Sequence, residues 1–402
     1  MEQEVNLTAI NPYAIGEQVL GKKVQWDKLE DPEETLASIF NVPKKELFAH
    51  DSILINPMLS EKREVLSVDK AQDRLKQYLE GKTVKRLSVT KGTVAKRITL
   101  KDIPLRTLEA IFDRNKLVPI TSVEWNPANT VWLDKGDYFE DVAEMNDPIQ
   151  GGLGDCYFIA ALSSVAWSRP YAIINATSPY TSDESPMHQV SFYNNNGVKE
   201  NVEVNELCPC SSSTQRLLYA TSLDEGEIWP GVMEKAYVKW RTGNTTQKPN
   251  YPAIAGGDPV EACRQLIGGK KTYKYTSSTT AAEITSFIKS NSLQINSYHG
   301  RTVNPMVAWT PSSQPKGCDY EGAHIVASHA YSILGWVTSN GSSYVVLRNP
   351  WGVHPGVIDN LGGSFLAPFN GMSHGFSYGQ NGVFAMGVST FKRYFYGLGV
   401  SK

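Results

Sequence analysis

The stretch Gln150-Gly-Gly-Leu-Gly-Asp-Cys156-Tyr-Phe-Ile-Ala-Ala-Leu162 is the most informative part of this 402-residue sequence. Its glycines lead into an apolar helical pattern that begins at Cys156 and continues to about Trp167. A helix N-terminus presents free N–H groups and a partial positive charge, which favour the nucleophilic thiolate over the thiol. Most free cysteines are small buried hydrophobic residues, but this setting favours a nucleophile. Gln150 and the backbone N–H of Cys156 are candidate donors to a developing oxyanion.

A histidine and an asparagine late in the chain complete a candidate triad. Ser328-His329-Ala-Tyr-Ser opens one apolar strand pattern, and Leu347-Arg-Asn349-Pro-Trp351-Gly ends the next. The order of cysteine, distant histidine and asparagine is the one expected of papain-like enzymes. Asn349 would hold the tautomer of the imidazole, and Trp351 would shield their hydrogen bond from water.

Each of these residues also has a simpler interpretation. Alone, His329 would be a strand histidine with satisfied hydrogen bonds, and Asn349 followed by proline would form a turn. His324 is a rival base in the more loop-like sequence Gly322-Ala-His324, and we prefer His329 because it opens a strand.

Together these segments resemble the calpain family of cysteine proteases. The sequence around Cys156 is similar to the cysteine motif of that family, and those around His329 and Asn349 are similar to its histidine and asparagine motifs. Glu227–Lys239, with the sequence EIWPGVMEKAYVK, resembles a helix of the first protease subdomain. The likeness runs roughly from Val131 to the C-terminus. Tyr157 departs from it, since the family usually has tryptophan after the cysteine.

The resemblance implies an α+β fold with a two-lobed, papain-like core. Residues 131–269 would form subdomain 1 with the cysteine, and residues 270–402 subdomain 2 with the histidine and asparagine. The cleft between them would bind protein or peptide substrates in extended form. The implied activity is that of a cysteine endopeptidase, which hydrolyses peptide bonds through an acyl-enzyme and needs no cofactor for the chemistry.

The resemblance also implies stimulation by calcium bound to the protease core. Asp147 and Glu227 match one such site, and carboxylates suit a hard cation. Their alternative interpretation is a solvated turn and a helix-capping acid. The sequence contains no EF-hand spacing, so the calcium-sensing tail of conventional calpains is missing from it.

The first part of the sequence predicts a separate domain. Residues 1–117 are expected to form a small α+β domain, joined to the core by a linker over residues 118–130. Its predicted elements are helices over residues 32–40, 68–80 and 104–114 and a hairpin over residues 84–100.

Residues 61–116 hold 15 lysines and arginines against 8 acidic residues, whereas the rest of the chain is acidic. Charge complementarity favours intramolecular inhibition by this domain, as a pro-segment or inhibitor, with cleavage of the linker near Asn126–Asn129. A solvated surface or an adaptor for another acidic target is the alternative.

Composition narrows the remaining possibilities. A net charge of −2 gives no reason to expect a nucleic acid partner, and no apolar stretch reaches the length of a membrane span. Five cysteines, an odd and sparse set, and no secretory leader favour a reducing, cytoplasmic location. Cys208-Pro-Cys210 is interpreted as a structural loop, because no neighbouring residues complete a metal site.

Three other functions are compatible with parts of the pattern. A transglutaminase or a ubiquitin-specific hydrolase would share the acyl-thioenzyme chemistry without the combined motifs. A binding module on a protease fold would lack the cysteine–histidine geometry. The polypeptide could also be inert until calcium or processing activates it.

Overall fold

The computed structural model describes residues 7, 9–40, 44, 124–127, 130–181, 186–353, 361–369 and 372–402. The predicted helices over 68–80 and 104–114, the predicted hairpin over 84–100, most of the predicted linker and the basic stretch 61–116 lie outside these residues. Within the described residues, no helix is long and apolar enough to cross a membrane.

The mainly helical lobe is built around the helix that begins at the candidate nucleophile. This lobe contains α3 (Cys156–Ser168), α4 (Pro170–Ala176), α5 (Trp229–Thr242) and α6 (Pro259–Ile267). Every side chain of α3 from Cys156 to Trp167 is buried, because the helix packs against α6 on one side and the sheet of the other lobe on another. The helix has no charged residue, so it can be buried on all faces.

Short antiparallel strands complete this lobe. They are β1 (Thr130–Leu133) paired with β5 (Cys208–Ser211), and a three-stranded sheet of β2 (Thr177–Thr181), β3 (Pro186–Tyr193) and β4 (Lys199–Asn205). The interpretation of Cys208-Pro-Cys210 as a loop was therefore wrong. Both cysteines lie in β5, where their buried positions pair with β1 and leave each thiol free.

The second lobe is an antiparallel sheet with the order β13-β10-β9-β8-β14-β6, and β7 pairs with β8. The strands are β6 (Lys271–Tyr275), β7 (Ser292–Gln294), β8 (His299–Trp309), β9 (Ala330–Ser339), β10 (Ser342–Arg348), β13 (Val383–Gly387) and β14 (Gly397–Ser401). A separate hairpin is formed by β11 (Ser364–Phe369) and β12 (Met372–Ser377). The predicted strands at 330–336, 343–348 and 382–386 are confirmed to within a few residues.

Two helices pack on this sheet where the sequence was interpreted as mostly strand. They are α7 (Ala281–Lys289) and α8 (Val388–Tyr394). Thr280 and Glu283 form a capping box at the start of α7, in which each side chain satisfies the other residue's backbone N–H. The Thr-x-x-Glu pattern is a sequence signal that could have predicted this helix.

A buried arginine joins the two lobes directly beside the candidate asparagine. The guanidinium of Arg348, the last residue of β10, donates to the carbonyl oxygens of Asn146 and Pro148 and to Ser163 Oγ in α3. Burial lowers its pKa to about 10, so it still carries its charge at neutral pH. These bonds fix the end of β10 against the loop that leads to Cys156.

The N-terminal arm, residues 9–40, lies across the catalytic part of the chain. It contains α1 (Pro12–Leu20) and α2 (Pro32–Phe40), and α2 begins as predicted, with Asp31 Oδ1 accepting from Glu34 N at 2.9 Å. Buried arm side chains pack with Val326, Trp351 and Val353 of the second lobe in one apolar cluster, the arm cluster. The arm contributes Ala9, Ile10, Tyr13, Ile15, Trp26, Leu36 and Ala37 to it. The described arm thus packs on the protease core, and the predicted boundary at 117 stays a prediction.

Candidate active site

Cys156 is the first residue of α3, as the sequence predicted. The chain before it passes so close to a neighbouring segment that a Cβ on Gly151 would lie 2.2 Å from the carbonyl oxygen of Tyr219. Only glycine fits at such a separation, so the glycines bring the helix start down against that segment. The thiol is fully buried, and its sulfur lies 3.9 Å from the carbonyl oxygen of Ser328.

The antiparallel pairing of β9 and β10 brings His329 and Asn349 together. His329 Nε2 lies 2.8 Å from Asn349 Oδ1, which also accepts from the backbone N–H of Trp351 at 3.1 Å. Because an amide oxygen only accepts, this bond requires the proton on Nε2. Nδ1 is then free to accept a proton, and it has no hydrogen-bond partner among the described residues.

The ring of Trp351 lies against the imidazole of His329. Its ring centroid lies 4.8 Å from that of His329, at an interplanar angle of 48°. The Trp351 side chain is buried together with His329 and Asn349. The hydrogen bond between the two residues is therefore held away from water, where it is stronger.

The thiol and the imidazole are both neutral in this arrangement. Burial raises the pKa of Cys156 to about 12, and the charge of Asp155 acts in the same direction. Burial also lowers the pKa of His329 to about 3, although the bond to Asn349 partly opposes this shift. The site is thus dry and has no thiolate–imidazolium pair while the arm covers it.

The side-chain amide of Gln150 donates to two backbone carbonyl oxygens. Its Nε2 donates to the carbonyl oxygen of Ala9 at 2.7 Å and to that of Leu153 at 2.6 Å. Its backbone N–H is bonded to the carbonyl oxygen of Pro350 at 2.9 Å. The predicted oxyanion donor therefore faces a peptide carbonyl supplied by the arm.

The structure separates His324 from the candidate triad. Its Nδ1 lies 2.7 Å from Glu33 Oε1, so this histidine holds the arm on the second lobe. The partner carboxylate is buried, with a side chain 4% exposed.

Three acidic side chains form a cluster near the loop that precedes Cys156. Oxygens of Asp147, Asp224 and Glu227 lie within 4.8 Å of one another. Sequence reasoning identified Asp147 and Glu227 but missed Asp224. The signal was present three residues before Glu227, in the turn where Glu227 N donates to the Asp224 carbonyl.

The donor set fits a hard cation such as calcium. Asp147 Oδ1 is buried without a hydrogen-bond partner among the described residues, although Asp147 Oδ2 accepts from Glu144 N and Trp229 Nε1. Burial and the charge of Glu227 raise the pKa of Asp147 to about 8. A divalent cation would stabilise these carboxylates in their charged form.

A second acidic pair lies directly behind the nucleophile and was missed from the sequence. Asp155 and Glu234 are both buried, and burial raises the pKa of both carboxyls. Glu234 Oε2 also accepts from Ala220 N at 3.1 Å. The pair links Asp155, the residue before Cys156, to the helix α5. The sequence predicted this helix but not its contact with Asp155.

The sequence was compared with protein families and with individual known proteins. The model of the calpain family cysteine protease matches residues 105–359, which is more than half of the chain. A thiol protease of Porphyromonas gingivalis is 26% identical over 378 residues, covering 86% of this chain and 76% of the relative. Rice calpain-type cysteine protease ADL1 (Oryza sativa subsp. japonica) is 28% identical over 53% of this chain, and Caenorhabditis elegans calpain clp-4 is 28% identical over 51%. The matches span only 9% and 27% of the rice and nematode proteins. The chain belongs to the calpain family of cysteine proteases.

Proposed function

We propose that this protein hydrolyses internal peptide bonds with Cys156 as nucleophile, His329 as acid and base, and Asn349 as the residue that orients His329. The observation that carries the proposal is the bond between His329 Nε2 and Asn349 Oδ1. It leaves Nδ1 free as a base on the same segment whose Ser328 carbonyl lies against the Cys156 sulfur.

The reaction follows from these positions. A bound substrate brings its carbonyl carbon to Cys156, and His329 Nδ1 takes the thiol proton as the sulfur attacks. His329 then gives the proton to the leaving amine and later activates the water that hydrolyses the thioester. Gln150 and the backbone N–H of Cys156 stabilise the oxyanion, at about 3 kcal/mol for one such donor.

Substrates are unfolded or extended segments of proteins, because backbone groups of both lobes face the cleft. The arm supports this proposal, since Ala9 N donates to the carbonyl oxygen of Ser328 at 3.3 Å and Asn11 N to that of Gly151 at 3.4 Å. The same contacts support intramolecular inhibition by the N-terminal region. While the arm occupies these groups, no other chain can use them.

Calcium is proposed as a stimulating ion held by Asp147, Asp224 and Glu227. Bound there, it would neutralise the clustered carboxylates and fix the loop before Cys156 to the turn before α5. It takes no part in the bond-breaking steps. A reducing compartment such as the cytoplasm is proposed as well, supported by five cysteines that are all unpaired in the structure.

The test is cleavage of unfolded casein by the wild type, Cys156→Ala and Cys318→Ala, each with calcium and with chelator. Cys318 is a buried cysteine of the second lobe, in contact with Arg393, and serves as the matched control. We expect the wild type and Cys318→Ala to cleave casein and Cys156→Ala to be inactive. The same assay on Leu36→Ala, which truncates a buried leucine of the arm cluster, separates an inhibited enzyme from an inactive one. If wild type and a folded Leu36→Ala protein are both inactive in both conditions, although an electrophilic thiol probe labels Cys156 of the variant, the protease proposal is wrong.

A further inference from the structure

A loop of the helical lobe borders the start of α3. This segment, the Gly257 loop, consists of residues 255–257 with the sequence Ala-Gly-Gly. Gly256 N donates to the carbonyl oxygen of Gly154 at 2.8 Å, which places the loop beside the residues that lead into Cys156. Residues of the loop are exposed or half-buried, so it forms part of the protein surface close to the candidate nucleophile.

The last residue of this loop has free backbone hydrogen-bonding groups. Within the part of the chain that the structure describes, neither the N–H nor the C=O of Gly257 has a hydrogen-bond partner. The next residue is fixed, because Asp258 accepts from Val260 N at 2.8 Å and from the hydroxyl of Tyr273 at 2.6 Å. A free N–H and C=O on a fixed segment can pair with an extended chain, as the edge of a sheet does.

Tyr157, the residue directly after the nucleophile, supports the Gly257 loop from the interior. Its hydroxyl donates to the carbonyl oxygen of Ile254, the residue before the loop, at 2.9 Å. Its ring lies so close to the loop that a Cβ on Gly257 would be 2.5 Å from the ring atoms Cε2 and Cζ. Tyr157 is buried, and burial raises its pKa, so the hydroxyl keeps its proton and remains a donor.

We propose that Tyr157 is a positioning residue for substrate binding, whose hydroxyl holds the Gly257 loop where the free backbone groups of Gly257 pair with an extended peptide. The proposal rests on the proposed protease function and deepens it. Tyr157 is also the residue at which the segment around Cys156 departs from the calpain family. Without the hydroxyl, the loop loses one of its anchors and the substrate must order it on binding, which lowers affinity. The groups that act on the scissile bond are unchanged, so the chemical step keeps its rate.

The test separates peptide binding from reaction at the thiol. Tyr157→Phe is made in the Leu36→Ala chain, in which the packing of the arm is weakened. Each protein is inactivated with acetyl-trialanyl chloromethyl ketone, which carries a peptide backbone, and with iodoacetamide, which is too short to reach the loop. We expect Tyr157→Phe to raise the KI of the chloromethyl ketone about 3-fold to 10-fold, with kinact and the rate of iodoacetamide alkylation unchanged.

Two matched variants remove a buried tyrosine hydroxyl and leave the bond to Ile254 in place. Tyr237→Phe removes the neighbouring hydroxyl that interacts with that of Tyr157, and Tyr320→Phe removes a donor to a backbone carbonyl of the second lobe. Both should leave the KI of the chloromethyl ketone unchanged. If either variant raises KI as much as Tyr157→Phe does, the effect is not specific to the loop and the positioning role is wrong.

Gly257→Ala tests the loop from its other side. The added Cβ would push the loop away from the ring of Tyr157, so KI should rise at constant kinact. An unchanged KI in this variant or in Tyr157→Phe overturns the inference, even where casein is cleaved. So does a lack of saturable inactivation in every chain while iodoacetamide alkylates Cys156. A rise in KI in a parent chain that fails to cleave casein would instead contradict the protease function and leave the positioning role standing.

Discussion

Leu36 offers a way to release the arm without touching the active site. It is fully buried in the arm cluster, and its side chain contacts the helix α1 so closely that a Cβ on Gly16 would lie 2.6 Å from Leu36 Cδ1. Replacing a buried leucine by alanine costs about 3 kcal/mol. Most residues of this cluster belong to the arm, so the loss weakens the packed form of the arm that docks on the second lobe, more than the protease core.

A loss of that size changes the balance between docked and released arm. About 3 kcal/mol corresponds to roughly a 100-fold change in an equilibrium constant. Since the docked site is dry, holds a thiol with its pKa raised to about 12, and is closed by Ala9, we expect the thiol to react only when the arm is released. Leu36→Ala should therefore speed the alkylation of Cys156 by up to about 100-fold.

The assay is alkylation by iodoacetamide at neutral pH, measured by intact mass. Leu20→Ala is the matched control, because Leu20 lies at the end of α1 and is 40% exposed. A folded Leu36→Ala protein that reacts no faster than Leu20→Ala would show that the arm does not limit access to Cys156.

Three further substitutions test individual contacts. Gln150→Ala should lower kcat on casein about 100-fold to 1000-fold through loss of one oxyanion donor, and unchanged kcat would contradict that role. Asn349→Ala should lower kcat about 10-fold to 100-fold because His329 loses its orienting bond, whereas a change in KM alone would indicate a binding role. Burial raises the pKa values of Asp155 and Glu234, so the folded state binds protons more tightly than the unfolded state. In a Cys156→Ala background, the free energy of unfolding should therefore fall as pH rises from about 4 through neutrality, and Glu234→Gln should flatten this slope in denaturant titrations.

Much of the catalytic part could be predicted from short segments of sequence. The family, the α+β fold class and a calpain-like cysteine peptidase are confirmed by the family match. The helix starting at Cys156 and the strands that carry His329 and Asn349 were visible because their patterns are local: glycines before a helix, and apolar runs ending in polar residues. The catalytic roles of these residues stay predictions, although the structure brings His329 and Asn349 into hydrogen-bond contact.

Contacts between distant parts of the chain could not be predicted, because no local sequence pattern indicates them. The guanidinium of Arg348 binds the carbonyl oxygens of Asn146 and Pro148, about 200 residues away in the sequence. No sequence pattern around Arg348 identifies these partners. Asp224 joins its acidic neighbours only because the turn before Glu227 folds back toward Asp147. The N-terminal region was expected to act through the charge of its basic stretch, but the described contacts with the candidate active site come from the uncharged segment around Ala9.

The proposed inhibition by the arm depends on two sets of contacts. The bonds from Gln150 Nε2 to the Ala9 carbonyl and from Ala9 N to the Ser328 carbonyl occupy polar groups of the candidate site. The arm cluster holds Ile10 and the buried side chains of α1 and α2 together with Val326, Trp351 and Val353 of the second lobe. The two hydrogen bonds at Ala9 can re-form as long as the cluster keeps the arm in place. If the proposal is right, activation therefore requires the apolar packing around Leu36 to be lost, and breaking the bonds at Ala9 alone is not enough.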